Sequence, residues 1–333
     1  MSMIDLFTPS HRHGLRNLII ALLAIVVVAG IAIVAVVHAT HNESGSSNVQ
    51  SIRGPLDSVS VSGRIGAIPV VTMGQPVTVN LAKAKVLETG TGREITKDSP
   101  ILLAITSFDG KTGENLSADG RPDLVVGSAD QATLNDALLD IVVGLHEGSR
   151  VLVAHPLASS QGEAAKASDQ DTELLVIDIL YSIANGSEDT GESSGVLSVK
   201  MTDEGPVIEH GSDVPTDVTT QILIKGEGQQ VTSSDQIVVQ YAAVGWNDGV
   251  VRASTWQTGK PEVVSMLTAM TGLKQTLVDQ RVGSRLAISI PPDLANGDDT
   301  LCIVIDILGT EPASDNASQS DASAEHTGVA PSD

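Results

Sequence analysis

Apolar positions fall into three patterns along the chain. Leu18 to Val37 reads "LIIALLAIVVVAGIAIVAVV", twenty positions without a charged side chain. As a helix it rises about 30 Å, the hydrocarbon thickness of a bilayer. Beyond it come short runs rich in Val and Ile, bounded by Gly, Asp and Ser, such as "ILLAI", "VLVA", "LAISI" and "CIVIDIL". Such runs predict β-strands. The third pattern is helical spacing, found once in each half of the remaining chain. Leu134, Leu138, Ile141 and Val142 share one helical face in the first half, and Met270, Leu273 and Leu277 do so in the second.

The halves repeat. "VLETGTGREITKDSPILLAI" (Val86 to Ile105) aligns with "ILIKGEGQQVTSSDQIVVQY" (Ile222 to Tyr241). "LHEGSRVLVAHPL" (Leu145 to Leu157) aligns with "QRVGSRLAISIPP" (Gln280 to Pro292), and "TELLVIDIL" (Thr172 to Leu180) with "TLCIVIDIL" (Thr300 to Leu308). Three segments in one order at nearly constant offset predict two copies of one domain. Each copy reads as an antiparallel sheet with a short helix laid across it, an α+β design. The expected organisation is a cytoplasmic N-terminus (1–17), a transmembrane anchor (18–37), a stalk (38–57), a first domain (58–184), a linker (185–195), a second domain (196–310) and an acidic, disordered tail (311–333). A polar insert, "SSQGEAAKASDQD", interrupts the first domain.

Charge then narrows the partners. Nineteen basic residues against 41 acidic give a net charge of -22. Phosphate backbones are bound by a Lys/Arg surplus, so nucleic acid is excluded as a partner. Arg12 and Arg16 precede the apolar helix, which keeps its positive flank cytoplasmic and puts the bulk of the chain outside. A cleaved signal peptide ending near Val37-His38-Ala39 is the rival reading, although its apolar region would be shorter. The single cysteine, Cys302, makes no internal disulfide and reads as a small buried hydrophobe. Together these features point to a membrane-anchored, extracytoplasmic protein of the bacterial envelope.

Reactive constellations are missing. "GESSG" (Gly191 to Gly195) fits the hydrolase elbow pattern but lies in an acidic linker with no strand before it. His38 and His41 gather no further ligands, and the tail lacks the glycine and glutamate of a calcium loop. No metal and no cofactor are expected. Aromatic rings are scarce too: Phe7, Phe108, Tyr181, Tyr241, Trp246 and Trp256 are the whole set.

The second copy resembles the FKBP-type peptidyl-prolyl cis–trans isomerases. The resemblance is carried by Val238-Val239-Gln240-Tyr241, Asp248-Gly249, Gly259-Lys260-Pro261, Gly272-Leu273, Val282-Gly283-Ser284-Arg285, Ile290-Pro291-Pro292-Asp293-Leu294 and Thr300-Leu301. The tandem arrangement resembles that of FKBP proteins of actinobacteria, with a degenerate first domain. The implied fold class is α+β: two tandem FKBP-like domains, each an antiparallel β-sheet wrapped on one short helix, behind the N-terminal transmembrane helix. The implied activity is isomerisation of X-Pro bonds in proline-containing peptides or partly folded exported proteins, at the outer face of the cell membrane.

The resemblance also implies a site. Tyr241 falls on the family's pocket tyrosine and Leu273 on its helix tryptophan, giving the two positions expected to carry catalysis. Arg252 and Ala253 stand where the family has a Phe-Asp pair. Val264, Ala269, Met270, Asn296 and Ile303 complete the expected substrate-binding set. Asn296 replaces a loop tyrosine, Ile303 a phenylalanine, and Glu262 a pocket aromatic. In the first copy Ile105 and Leu138 occupy the tyrosine and tryptophan places. The alternative reading of so ring-poor a site is a catalytically silent binding module or holdase. Trp246 and Trp256, flanking Asp248-Gly249, are expected either to compensate for the missing rings or to pack at the surface.

Overall fold

The computed structural model describes residues 54–157, 171–188 and 196–312. The expected membrane span, most of the stalk, the whole "GESSG" match and nearly all of the tail lie outside the described residues. Among the described residues, no helix is long and apolar enough to cross a membrane.

Each half builds an antiparallel sheet. The first has five strands in the order β3 (Lys83–Glu88), β6 (Arg150–Pro156), β7 (Thr172–Ile179), β4 (Pro100–Asp109) and β5 (Asp123–Ser128). The second runs β13 (Val251–Ser254), β12 (Asp235–Gly245), β16 (Leu301–Pro312), β15 (Arg285–Ile290), β11 (Thr219–Lys225) and β8 (Ser187–Glu188), with β14 (Glu262–Ser265) pairing the other end of β12. One helix crosses one face of each sheet, α1 (Asp136–Val142) on the first and α2 (Thr271–Leu277) on the second. The side chain of Asn135 accepts from the Leu138 amide and starts α1. Residues of the expected spacing are buried, Leu138 and Val142 in one helix and Leu273 and Leu277 in the other, where Gly272 and Thr276 are buried as well.

Sequence patterning did not reveal the other face. There each sheet is covered by a two-stranded hairpin: β1 (Val59–Ser62) with β2 (Val70–Met73) in the first half, and β9 (Leu197–Thr202) with β10 (Gly205–His210) in the second. Leu56 and Val59 pack on Phe108, Leu152, Leu174 and Val176. Leu197, Val199 and Ile208 pack on Trp246, Ala287 and Cys302. The unit is therefore helix, sheet and hairpin, in three layers. What remains of the two hairpin-side faces packs face to face, with Leu102, Ala104, Leu124 and Leu180 of the first unit meeting Val238 and Leu308 of the second.

The repeated Gly-x-Gly and Gly-Ser-Arg segments meet in space. Gly90 and Gly226 lie against the turns at Gly148-Ser149 and Gly283-Ser284, and donate their amides to Ser149 Oγ (2.9 Å) and Ser284 Oγ (3.0 Å). A Cβ on either glycine would collide with the backbone of the facing turn, so no other residue fits. The Arg of each turn opposes an Asp on the next strand. Arg150 donates to Asp178 from Nε (2.6 Å) and Nη2 (2.7 Å), and Arg285 donates to Asp306 from the same atoms at the same distances. All four side chains are buried.

Two expected boundaries shift. Ser187–Glu188, inside the expected linker, pair with β11, because Ala184 just before them donates its amide to Asp306 Oδ2 at 2.7 Å and holds the segment on the sheet. β16 continues to Pro312, two residues past the expected domain end, and Glu311 accepts from the Leu124 amide at 3.0 Å.

Removing one partner of a buried bidentate pair strands the other's charge, at about 3–5 kcal/mol, whereas replacing both with apolar groups costs far less. Arg285→Met alone is thus expected to lower the denaturation midpoint of the chain sharply, and Arg285→Met with Asp306→Leu to recover most of it; equal midpoints for the single and double variants would contradict this role.

Candidate functional site

Between α2 and the second sheet lies an apolar cluster in which most of the expected site residues converge. β12 supplies Tyr241, β14 supplies Val264, the turn before α2 supplies Ala269 and Met270, α2 supplies Leu273, and β16 supplies Ile303. Strand register explains the meeting: Tyr241 opposes Ile305, Ala243 opposes Ile303, and Ile237 opposes Val264. Alternate residues of β12 therefore share the helix-side face. Leu273 and Ile303 are 0% exposed and Tyr241 is 4% exposed, so these side chains are interior. Ala253, on β13 opposite Ala243, is half-buried at the cluster's margin.

Two expected residues stand apart from the cluster. Arg252 donates from Nη2 to Asp248 Oδ2 at 2.7 Å and approaches Asp299 Oδ2 at 3.5 Å, so its charge is already engaged. Asn296 caps the C-terminus of a single-turn helix, α3 (Pro292–Ala295), in the left-handed conformation (φ 53, ψ 35), and is exposed. Asn tolerates that conformation where most residues do not, which accounts for an amide at the tip of this loop.

The polar group of the cluster is the Tyr241 hydroxyl. It donates to Glu262 Oε2 at 3.1 Å, and Glu262 heads β14 opposite Val239. Burial above all, and then the neighbouring Glu262 carboxylate, push the phenol well above its ordinary value of 10. The backbone of Tyr241 is held as well: its amide donates to Thr255 Oγ1 at 2.8 Å, and its carbonyl accepts from the Thr255 amide at 2.9 Å. Sequence reasoning identified Glu262 only as the replacement of a lost ring. Its pairing with Tyr241 joins residues 21 apart and carries no sequence signal. Met266, fully buried in the cluster, was also missed.

The tryptophans do not compensate for the missing rings. Trp246 lies under the β9–β10 hairpin with its ring 3.9 Å from that of His210, and Trp256 carries the Arg285 guanidinium 5.6 Å above its ring. Both are on the face opposite α2. Cys302 is buried beside Trp246, with its thiol pushed up to about 11 by burial and then by Asp299. In the first unit Ile105 and Leu138 fill the corresponding places, and the cluster there is wholly aliphatic. Among the described residues no group of His, Cys, Asp and Glu is arranged to hold a metal ion.

No protein-family model matches the chain. Over 103 residues it is 25% identical to a probable FK506-binding protein of Corynebacterium glutamicum, a match covering 28% of this chain and 87% of that protein. Among solved structures it is similar to FkpA from Escherichia coli, at 22% identity and a TM-score of 0.29, covering 37% of this chain and 55% of FkpA. It is also similar to the three FKBP domains of wheat FKBP73, at 15% identity and a TM-score of 0.26, covering 69% and 94% of the two chains. The chain thus spans about half the length of FkpA. The chain is thus similar over part of its length to a probable FK506-binding protein, and of its two tandem units the second alone has a tyrosine at the place the resemblance implies.

Because the neutral phenol is favoured in the fold, Tyr241 adds stability that is complete below pH 10 and is lost as pH rises beyond it. In a Tyr181→Phe background, Glu262→Gln is expected to lower the alkaline midpoint of phenol absorbance while leaving it above 10, since burial remains the larger cause. An unmoved midpoint would show that the carboxylate does not act on the phenol.

Proposed function

We propose that the second unit is a slow peptidyl-prolyl cis–trans isomerase. The observation that carries this reading is the apolar nest of Tyr241, Val264, Met270, Leu273 and Ile303, whose phenol is committed to Glu262. Rotation about an X-Pro bond meets a barrier of about 18–20 kcal/mol from amide resonance. Lowering it needs neither nucleophile nor metal. It needs a surface that accepts the twisted amide better than either planar isomer and offers its carbonyl little water. An aliphatic nest with one ring supplies the dry surface but little for proline to stack on, which is why the expected rate is low. The family likeness supports the same chemistry.

The clients in this reading are proline-containing peptides and partly folded exported chains. The setting is the outer face of the cell membrane, with the chain tethered by the apolar segment 18–37. The first unit, without the tyrosine, takes no direct part in turnover.

A second reading rests on the burial itself. With Leu273 and Ile303 at 0% exposure, a proline ring enters only if α2 or β14 gives way. A unit that never opens would be a silent FKBP-like binding module or a holdase. Exchange NMR on a short proline peptide separates the readings. The full-length chain is expected to accelerate cis-to-trans conversion, and Tyr241→Leu, which removes the ring but keeps the site apolar, to reduce the acceleration about tenfold, roughly 1.4 kcal/mol of transition-state preference. No acceleration from the parent chain, together with suppressed aggregation of a proline-free client, would establish the second reading.

A further inference from the structure

β14 is an edge strand whose successive residues face opposite ways. Glu262 meets the Tyr241 hydroxyl and Val264 enters the helix-side cluster. Val263, between them, packs instead on the junction between the two units. There it pairs with Val238 and packs against the cluster that Val238 and Leu308 form with the first unit's Leu102, Ala104, Leu124 and Leu180. Leu124 is the key of this junction. It sits over Gly309, where a Cβ would come within 2.9 Å of Leu124 Cδ1, and its amide donates to Glu311 on the same strand. The loop leading into β14 also faces the first unit, since a Cβ placed on Gly259 would lie in van der Waals contact with Pro100.

We propose that the ring-poor first unit is the wall that positions the second unit's site. Leu124, acting through Val263, holds β14 in the register that brings Glu262 to Tyr241 and Val264 into the nest. Leu124 and Val263 are positioning residues that touch neither a client nor the phenol. This inference rests on the proposed site but not on its being an active enzyme, because the order of β14 is measurable by itself. It also gives the worn unit a role that requires no pocket of its own.

Hydrogen exchange on the full-length chain tests it. Leu124→Ala is expected to speed amide exchange across 262–265 by about tenfold or more and to shift the Tyr241 ring-carbon NMR signals. Leu103→Ala, an equal truncation on the helix side of the same strand pair, is expected to loosen the first unit while leaving 262–265 unchanged. If Leu124→Ala does not fold, Leu124→Val and Val263→Ala carry the same comparison. Where turnover is measurable, Leu124→Ala should lower kcat more than it raises KM. Unchanged exchange in 262–265 in the folded Leu124 variants, or equal loosening by Leu103→Ala, would overturn the proposal. A parent chain with no isomerase activity would instead dispose of the enzymatic reading and leave this comparison standing.

Discussion

Both units are organised around one buried ion pair. In each, the Arg of the Gly-Ser-Arg turn grips an Asp on the next strand with two charge-assisted hydrogen bonds, deep in the sheet's hairpin-side face. Such a pair is tolerable in an interior only if its remaining donors and acceptors are satisfied. That requirement recruits the rest of the chain. In the first unit Arg150 donates to the carbonyls of Gly63 and Arg64, and Asp178 accepts from the Gly66 amide, which brings in the loop of the first hairpin. In the second, Asp306 accepts from Ala184 and Arg285 covers Trp256, which brings in the inter-unit segment and the loop before β14. One motif, used twice, ties a different neighbour to each sheet.

The same geometry explains what was legible in the sequence. The repeat stood out because Gly90 and Gly226 face the turns at Ser149 and Ser284, a contact that accepts no other residue type. The helices were readable because Leu138, Val142, Leu273 and Leu277 bury one face at regular spacing. The hairpins were not. "VSVS" and "LSVK" are short alternations with small or polar partners, and their burial depends on a sheet formed far along the chain. Arg150 with Asp178 and Arg285 with Asp306 lay in plain view inside repeated segments, yet their pairing is a matter of register, which periodicity alone does not encode.

The site was legible to a similar, partial degree. Tyr241, Val264, Ala269, Met270, Leu273 and Ile303 were singled out through the family resemblance, and the fold gathers them in one apolar cluster. Arg252, on β13, and Asn296, in the loop after α3, were likewise reached through the alignment but stand apart from the cluster. One is absorbed by Asp248 and Asp299, the other by the left-handed cap. Glu262 shows the limit most clearly. A carboxylate in place of a ring reads as decay, until the phenol across the strand pair gives it a partner.

The face-to-face packing of the two sheets bears on how the chain can change over time. A duplicated domain whose copies stay separate can shed one of them without harm. Here Val238, Leu308 and Val263 are covered by the other copy, so a deletion that removed the first unit would leave the survivor with a bare aliphatic surface prone to self-association. The first unit thus shields an aliphatic surface of its twin, a service that depends on Leu102, Ala104, Leu124 and Leu180 and not on its own helix-side cluster.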